Sequence, residues 1–157
     1  MPIEIDHSGK NVVVTGAGAG IGRSIASLFA QAGANVAVLD KRADKAQETV
    51  ELLAALNQGS SFSVVGDARE EKQVERMFDE SSEKLGGIDV AVNNIGMLGP
   101  EGTASLLEMD EKKWRDVIEQ NLLVTALSMK SEAKHMSELG RGVIINVSSG
   151  ETTRPSP

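Results

Sequence analysis

The sequence predicts an α/β fold in which a single doubly wound parallel sheet of five strands carries helices on both faces. Three observations predict it. Five short apolar runs, Val12–Val14, Val36–Leu39, Phe62–Val65, Ile88–Val92 and Val143–Val147, are rich in Val and Ile. They show little strict alternation, as suits parallel strands covered on both faces. Amphipathic stretches at helical spacing separate them, and no linker, repeat or low-complexity tract interrupts the pattern. Strand–helix alternation of this kind winds through right-handed crossovers.

The first run, Asn11-Val12-Val13-Val14, gives way to Thr15-Gly16-Ala17-Gly18-Ala19-Gly20-Ile21-Gly22. Ile21, Ile25, Leu28, Phe29 and Ala32 then recur at helical spacing. Glycines at such a turn permit positive φ and let a ligand approach backbone N–H groups. The positive end of the new helix suits a pyrophosphate. The spacing is not GxGxxG, because Ile21 and Arg23 stand where third glycines would fall. Nor is it a P-loop: Ala17 stands where its first glycine is needed, and Arg23 replaces the lysine.

The second run closes on Asp40, 20 residues beyond Gly20. A carboxylate there accepts hydrogen bonds from both hydroxyls of an adenine ribose and repels a 2′-phosphate, which favours NAD over NADP. Lys41 and Arg42 follow and would partly neutralise a phosphate, so NADP stays the second reading. Simple turn formation is the plain alternative for Asp40. The third, fourth and fifth runs close on Gly66-Asp67, Asn93-Asn94 and Ser148-Ser149. In a parallel sheet all these ends share one edge, where open α/β sheets bind ligands. The same residue types also end strands as turn formers.

Between the runs, Ala46, Val50, Leu53 and Ala54 form one helical face, and Val74, Met77, Phe78, Ser81 and Leu85 another. Asp110 to Leu139 reads as one long helix, with Trp114, Val117, Ile118, Leu122 and Thr125 on one face. Leu123, Val124, Leu127 and Met129 extend its apolar character around much of the cylinder. Such a helix is buried on most sides, by a second subunit or by a later segment of a longer chain. Asn121 sits among these apolar residues and needs partners, at a cost of about 1–3 kcal/mol if it has none. Its plain role is to tie the helix to a neighbour.

Composition narrows the function classes. Residues 1–157 read as one domain, and a net charge of −7 argues against nucleic acid or an anionic membrane surface as partner. The chain has no Cys, hence no disulfide framework, thiol nucleophile or Cys-based metal site. His7 and His135 are too few and too far apart to suggest metal binding. Met1 to Lys10 lacks an apolar signal core and no apolar run approaches spanning length, so a cytoplasmic location is expected.

The TGxxxGxG turn, with strands and helices following in matching order, resembles the short-chain dehydrogenase/reductase family. That resemblance implies a Rossmann-type sheet of order 3-2-1-4-5 and hydride transfer between NAD and a small alcohol or carbonyl substrate. It places the cofactor on Gly16, Gly18, Gly20, Ile21, Gly22 and Asp40, with Asp67 and Ala68 at the adenine. Asp67 as a helix cap is the nearest structural alternative. Asn93-Asn94-Ile95-Gly96 resembles the family's NNAG element, with Ile95 in place of Ala. There Asn94 and Gly96 lie along the cofactor ribose, while Asn93 binds backbone and steadies the sheet.

Trp114 to Asn121 resembles the family run that ends in an Asn holding a water of a proton relay. Ser149 matches the catalytic serine that hydrogen-bonds the substrate oxygen, and Ser148 is structural. The family's Tyr, followed four residues later by a Lys, falls about 13 residues after that serine, beyond Pro157. The chain contains no Tyr.

The resemblance therefore covers all of residues 1–157 but about three-fifths of a typical family member. The expectation is a truncated N-terminal portion that binds NAD weakly, does not turn over, and pairs as a homo-oligomer through the Asp110–Leu139 helix. A non-catalytic dinucleotide-binding or interaction module is the alternative, against which the retention of Ser149 and Asn121 weighs. An FMN-binding protein fits the turn and Asp40 less well. The substrate itself is not legible, although the Met97–Thr103 loop is placed at the pocket's border.

Overall fold

The Val-rich strand β1 (Asn11–Thr15) lies at the centre of the sheet, and Val12, Val13 and Val14 are wholly buried. The computed structural model describes residues 5–56, 59–97 and 106–149. The chain continues through α1 (Gly20–Gln31), β2 (Asn35–Asp40), α2 (Ala43–Leu56), β3 (Ser61–Val65), α3 (Glu71–Leu85) and β4 (Val90–Asn93). A short 3-10 turn (Leu106–Glu108) precedes α4 (Glu111–Ile118), a π-helical turn (Glu119–Leu123), α5 (Val124–Leu139) and β5 (Val143–Asn146).

All four strand pairings are parallel, in the order β3-β2-β1-β4-β5, as the sequence predicts. Successive residues of a strand face opposite sides. Val13, Ala37, Leu39 and Ala91 accordingly pack with Phe78 of α3 and Val124 and Met136 of α5. Val12, Val14, Val36 and Val38 pack on the other side with Ala26 and Ala30 of α1 and Leu53 of α2. Phe78 is fully buried, and its burial contributes roughly 2–3 kcal/mol. Helices cover both faces of the central strands β1, β2 and β4, and open sheets of this kind bind ligands at the edge of strand C-termini.

The expected single helix over Asp110–Leu139 is instead two helices joined by the π-helical turn. Asp110 starts α4 by accepting the Lys113 N–H at 2.8 Å. The wide turn is centred on Asn121, whose Nδ2 donates to the Val117 carbonyl at 2.8 Å. Turns of this kind concentrate at functional sites. Within this chain alone, part of the apolar surface expected to be covered by another subunit or a later segment is open. Trp114, Ile118, Leu122 and Leu123 are exposed, as are Val143 and Ile145 of β5 and Val147 just after it. Only the Val124, Ser128, Ser131, Glu132, His135 and Met136 side of α5 is buried. Apolar patterning states what needs covering, and no residue of α4 is fully buried within this chain.

Candidate functional site

The glycine turn is built from close approaches. Gly16 leaves β1 at φ 64, and Ala17 N–H donates to the Leu39 carbonyl at 3.0 Å, so the turn rests on the end of β2. A Cβ on Gly22 would stand 2.3 Å from the Gly16 carbonyl oxygen and 2.6 Å from Asn94 Nδ2, so no side chain fits there. Gly20 differs: its φ is 56, and beyond its chain neighbours and its own helix backbone nothing lies within 4 Å of where a Cβ would stand. That side of the turn is open, and no side chain caps the N-terminus of α1 at Ala19. The first N–H groups of the helix therefore remain available to an acceptor.

Arg23 braces this turn from behind. Its Nε donates to Thr49 Oγ1 at 2.9 Å and its Nη2 to the Gly18 carbonyl at 2.5 Å and Glu48 Oε2 at 3.2 Å. Buried Thr49 in turn donates to the Ala17 carbonyl at 3.0 Å. The residue that stands in place of a P-loop lysine is thus a strut of the turn.

Asp40 closes β2 with its side chain almost fully buried. Its Oδ2 accepts the Gly18 N–H at 2.9 Å, and its Oδ1 accepts the Arg42 N–H at 2.9 Å and Arg42 Nε at 3.3 Å. A carboxylate offers about four lone-pair sites, so three bonds leave capacity for a further donor. Asp67 closes β3 differently. Its Oδ1 accepts the Arg69 N–H at 3.1 Å and Arg69 Nε at 3.0 Å, and Arg69 Nη2 pairs with Oδ2. The guanidinium holds the Asp67 carboxyl down at about 2. Asp67 does not cap α3, whose N-cap residue is Glu70.

These ends border one cleft of about 420 Å³. Of the expected residues, Gly16, Asp40, Asp67, Ala68, Asn94 and Gly96 line it together. Gly18, Gly20, Ile21 and Gly22 form the turn beside it, with Ile21 exposed on α1. Asn94 fastens the cleft to β1: its N–H donates to Thr15 Oγ1 at 3.1 Å and its Nδ2 to the Thr15 carbonyl at 3.3 Å. Ile95 packs at 3.2 Å from the Cβ position of Gly16, filling space beside the turn.

Asn121 does not line the cleft; it grips a residue that does. Its Oδ1 accepts the Met97 N–H at 3.0 Å, and its Nδ2 donates to the Met97 carbonyl at 2.9 Å. Half-buried Asn121 thereby ties its helix to the segment that follows β4. Ser149 lies on the same edge, beyond β5, exposed and outside the lining of this cleft. Of the Met97–Thr103 loop, residues 98–103 and likewise Glu151 lie outside the described residues.

Asn93 corrects an expectation. Its Nδ2 donates to the side chains of Glu132, at 3.1 Å, and Asn146, at 2.9 Å, rather than to backbone. Sequence reasoning missed Glu132, and also Arg69, Gln120 and Val124 of the cleft. Arg69 was findable, two residues from Asp67, where an Asx turn forms. Glu132 stands between Lys130 and Lys134 and reads as a solvated residue. Burial pushes its carboxyl up to about 7. Among the described residues no group of His, Asp and Glu is placed to hold a metal ion.

Comparison with known proteins follows the same lines. The family profile described as short chain dehydrogenase matches residues 10–157. The chain is 36% identical over 148 residues to short chain dehydrogenase/reductase astE of Aspergillus oryzae, covering 94% of this chain and 56% of that protein. A short-chain type dehydrogenase/reductase from Mycobacterium marinum superposes with a TM-score of 0.90 at 30% identity, over 98% of this chain and 61% of that one. A 7 alpha-hydroxysteroid dehydrogenase complexed with NADH and 7-oxo glycochenodeoxycholic acid gives 0.88 at 33%, over 98% and 58%. A Burkholderia cenocepacia short chain dehydrogenase in complex with NADP gives 0.84 at 27%, over 99% and 60%. The chain spans a little over half the length of the curated relatives it matches.

Proposed function

This chain belongs to the short-chain dehydrogenase/reductase family, and we propose on that premise that its cleft holds NAD for hydride transfer between nicotinamide and an alcohol or carbonyl carbon. The observation that carries the reading is Asp40, a buried carboxylate at the strand-end edge, bonded to the glycine turn and bordering the cleft. Its remaining lone-pair capacity suits the adenine-ribose hydroxyls. The uncapped start of α1 and the open side of Gly20 suit the pyrophosphate. Ala68 and the Asp67–Arg69 pair border the adenine end, and Asn94 and Gly96 the nicotinamide ribose.

When bound, the nicotinamide ring gives or takes the hydride. The protein's own work is to bind and orient. Asp40 accepts ribose hydroxyls and repels a 2′-phosphate, and Arg42, already engaged on Asp40, softens that repulsion without reversing it. Asn121 fixes Met97 against the cleft. Ser149 hydrogen-bonds the substrate oxygen from the neighbouring strand end. With no Tyr among its residues the 157-residue chain lacks the phenol of the family's proton relay, so alone it binds cofactor and does not turn over. The exposed Trp114, Ile118, Leu122 and Leu123 face forms a homo-oligomer contact.

Titration of the 157-residue chain with NADH and NADPH, read by nicotinamide fluorescence, tests the reading. Tighter binding of NADH is expected. Binding of neither dinucleotide, or a clear preference for NADPH, would overturn it.

A further inference from the structure

Among the described residues, Glu132 alone buries an acidic side chain completely. It lies on the side of α5 that faces the sheet, and its Oε2 accepts Asn93 Nδ2 at 3.1 Å. The same Nδ2 reaches Asn146 Oδ1 at 2.9 Å, on the residue paired with Asn93 across β4 and β5. Both N–H bonds of the Asn93 amide are thereby used. Two buried oxygens of this cluster are left without a donor, Asn93 Oδ1 and Glu132 Oε1.

An ionised Glu132 makes that arrangement costly. Both orphan atoms are then acceptors, and each forfeits its hydration for nothing. Among the described residues no cation is paired with it. On the elements packed around Glu132, Lys130 pairs with Glu71 and Glu75, and Lys134 with Asp79. His135 Nε2 also stands 2.9 Å from Asp79 Oδ1. The strands contribute only the amides of Asn93 and Asn146. A single proton on Glu132 Oε1, donated to Asn93 Oδ1, would satisfy both orphans and complete an acid–amide pair with the bond already made by Oε2.

We propose that Glu132 is a positioning residue: as a neutral carboxylic acid it clamps Asn93, and so fixes the end of β4 from which Asn94 and Gly96 border the cleft. The clamp reaches β5 through Asn146, which precedes Ser149 on the same edge. Burial raises the Glu132 carboxyl to about 7, in keeping with the geometry. Loss of the proton leaves two bare oxygens facing within one pair, and the end of β4 loosens. The consequence for cofactor rests on the dinucleotide reading of the cleft; the protonation state and the clamp do not.

Difference infrared spectroscopy of the 157-residue chain against Glu132→Gln reads the proton directly. At about pH 6 the wild type is expected to show a protonated-carboxyl carbonyl band that the variant lacks, disappearing with a midpoint near 7. No such band at about pH 6 would overturn the proposal. Amide NMR reads the clamp without cofactor. The Asn94 N–H resonance should titrate with that midpoint in the wild type and stay flat in Glu132→Gln, whose amide makes the same two bonds at every pH.

Equal pH slopes in the two proteins would overturn the clamp. The NADH dissociation constant should rise about threefold from pH 6 to 8.5 in the wild type, and not in Glu132→Gln. Failure of NADH to bind at any pH would sink the dinucleotide reading, and the Asn94 resonance would still decide the clamp.

Discussion

Replacing Asp40 by Asn keeps the shape of the side chain and removes its charge, which separates cofactor choice from folding. Oδ2 holds the Gly18 N–H at 2.9 Å, and Oδ1 holds two donors of Arg42. An Asn keeps one of these acceptors and presents an NH₂ at the other. One charge-assisted bond is lost, at about 1.5–3 kcal/mol of folding stability. The same loss toward ribose hydroxyls weakens NADH binding about 10- to 100-fold. A 2′-phosphate gains, because a like-charge pair at 4 Å costs about 4 kcal/mol near a protein surface. Arg42 Nε, 3.3 Å from Asp40, cancels part of that repulsion. A gain of about tenfold for NADPH is a conservative remainder. The ratio of NADPH to NADH affinity should therefore rise by roughly two to three orders of magnitude. Paired fluorescence titrations with the two reduced cofactors measure it, alongside urea unfolding of both proteins. An unchanged ratio in a folded Asp40→Asn protein would refute the reasoning.

Three further outcomes follow from particular contacts. Gly22→Ala places a Cβ 2.3 Å from the Gly16 carbonyl oxygen; unfolding free energy should fall by about 1–3 kcal/mol or more, and wild-type melting would contradict so tight a turn. Asp67 titrates at about 2 in the folded chain, below its ordinary 3.8. That lowered value supplies stability above about pH 4 that is lost toward about pH 2, some 1 kcal/mol after screening at this partly exposed pair. Acid unfolding of Arg69→Gln should lack that component, and an identical acid limb would exclude the pair as its source. Glu132 has the opposite sign, because its folded value of about 7 exceeds the ordinary 4.5. Its contribution is fully present below about pH 4.5 and declines as pH rises to about 7, by up to about 3 kcal/mol. Glu132→Gln should flatten that slope in urea unfolding, and an unaltered slope would assign it elsewhere.

Much of the fold was legible because burial on both faces leaves a plain mark. Val12–Val14 and Val36–Leu39 admit few polar residues, and parallel pairing places their ends on one edge. The glycine turn and Asp40 were legible through spacing, since a tight turn and a strand-end carboxylate need particular residue types at fixed distances. Contacts chosen only after folding were not. Asn121 widens its helix to reach Met97, which no periodicity announces. Glu132 sits between two lysines that turn away to α3, so its charge reads as solvated while its position on α5 buries it. The exposed α4 face shows the converse limit: Trp114 and Leu122 call for cover, and their sequence does not say what supplies it.

The most direct test of the central claim is an amide NMR titration of the 157-residue chain with NADH. The account predicts shifts confined to Gly16–Gly22, Asp40–Arg42, Asp67–Arg69 and Asn94–Met97, the four strand-end segments around one cleft. Shifts clustered instead at the Asp79–His135 groove between α3 and α5, or none at saturating NADH, would contradict it.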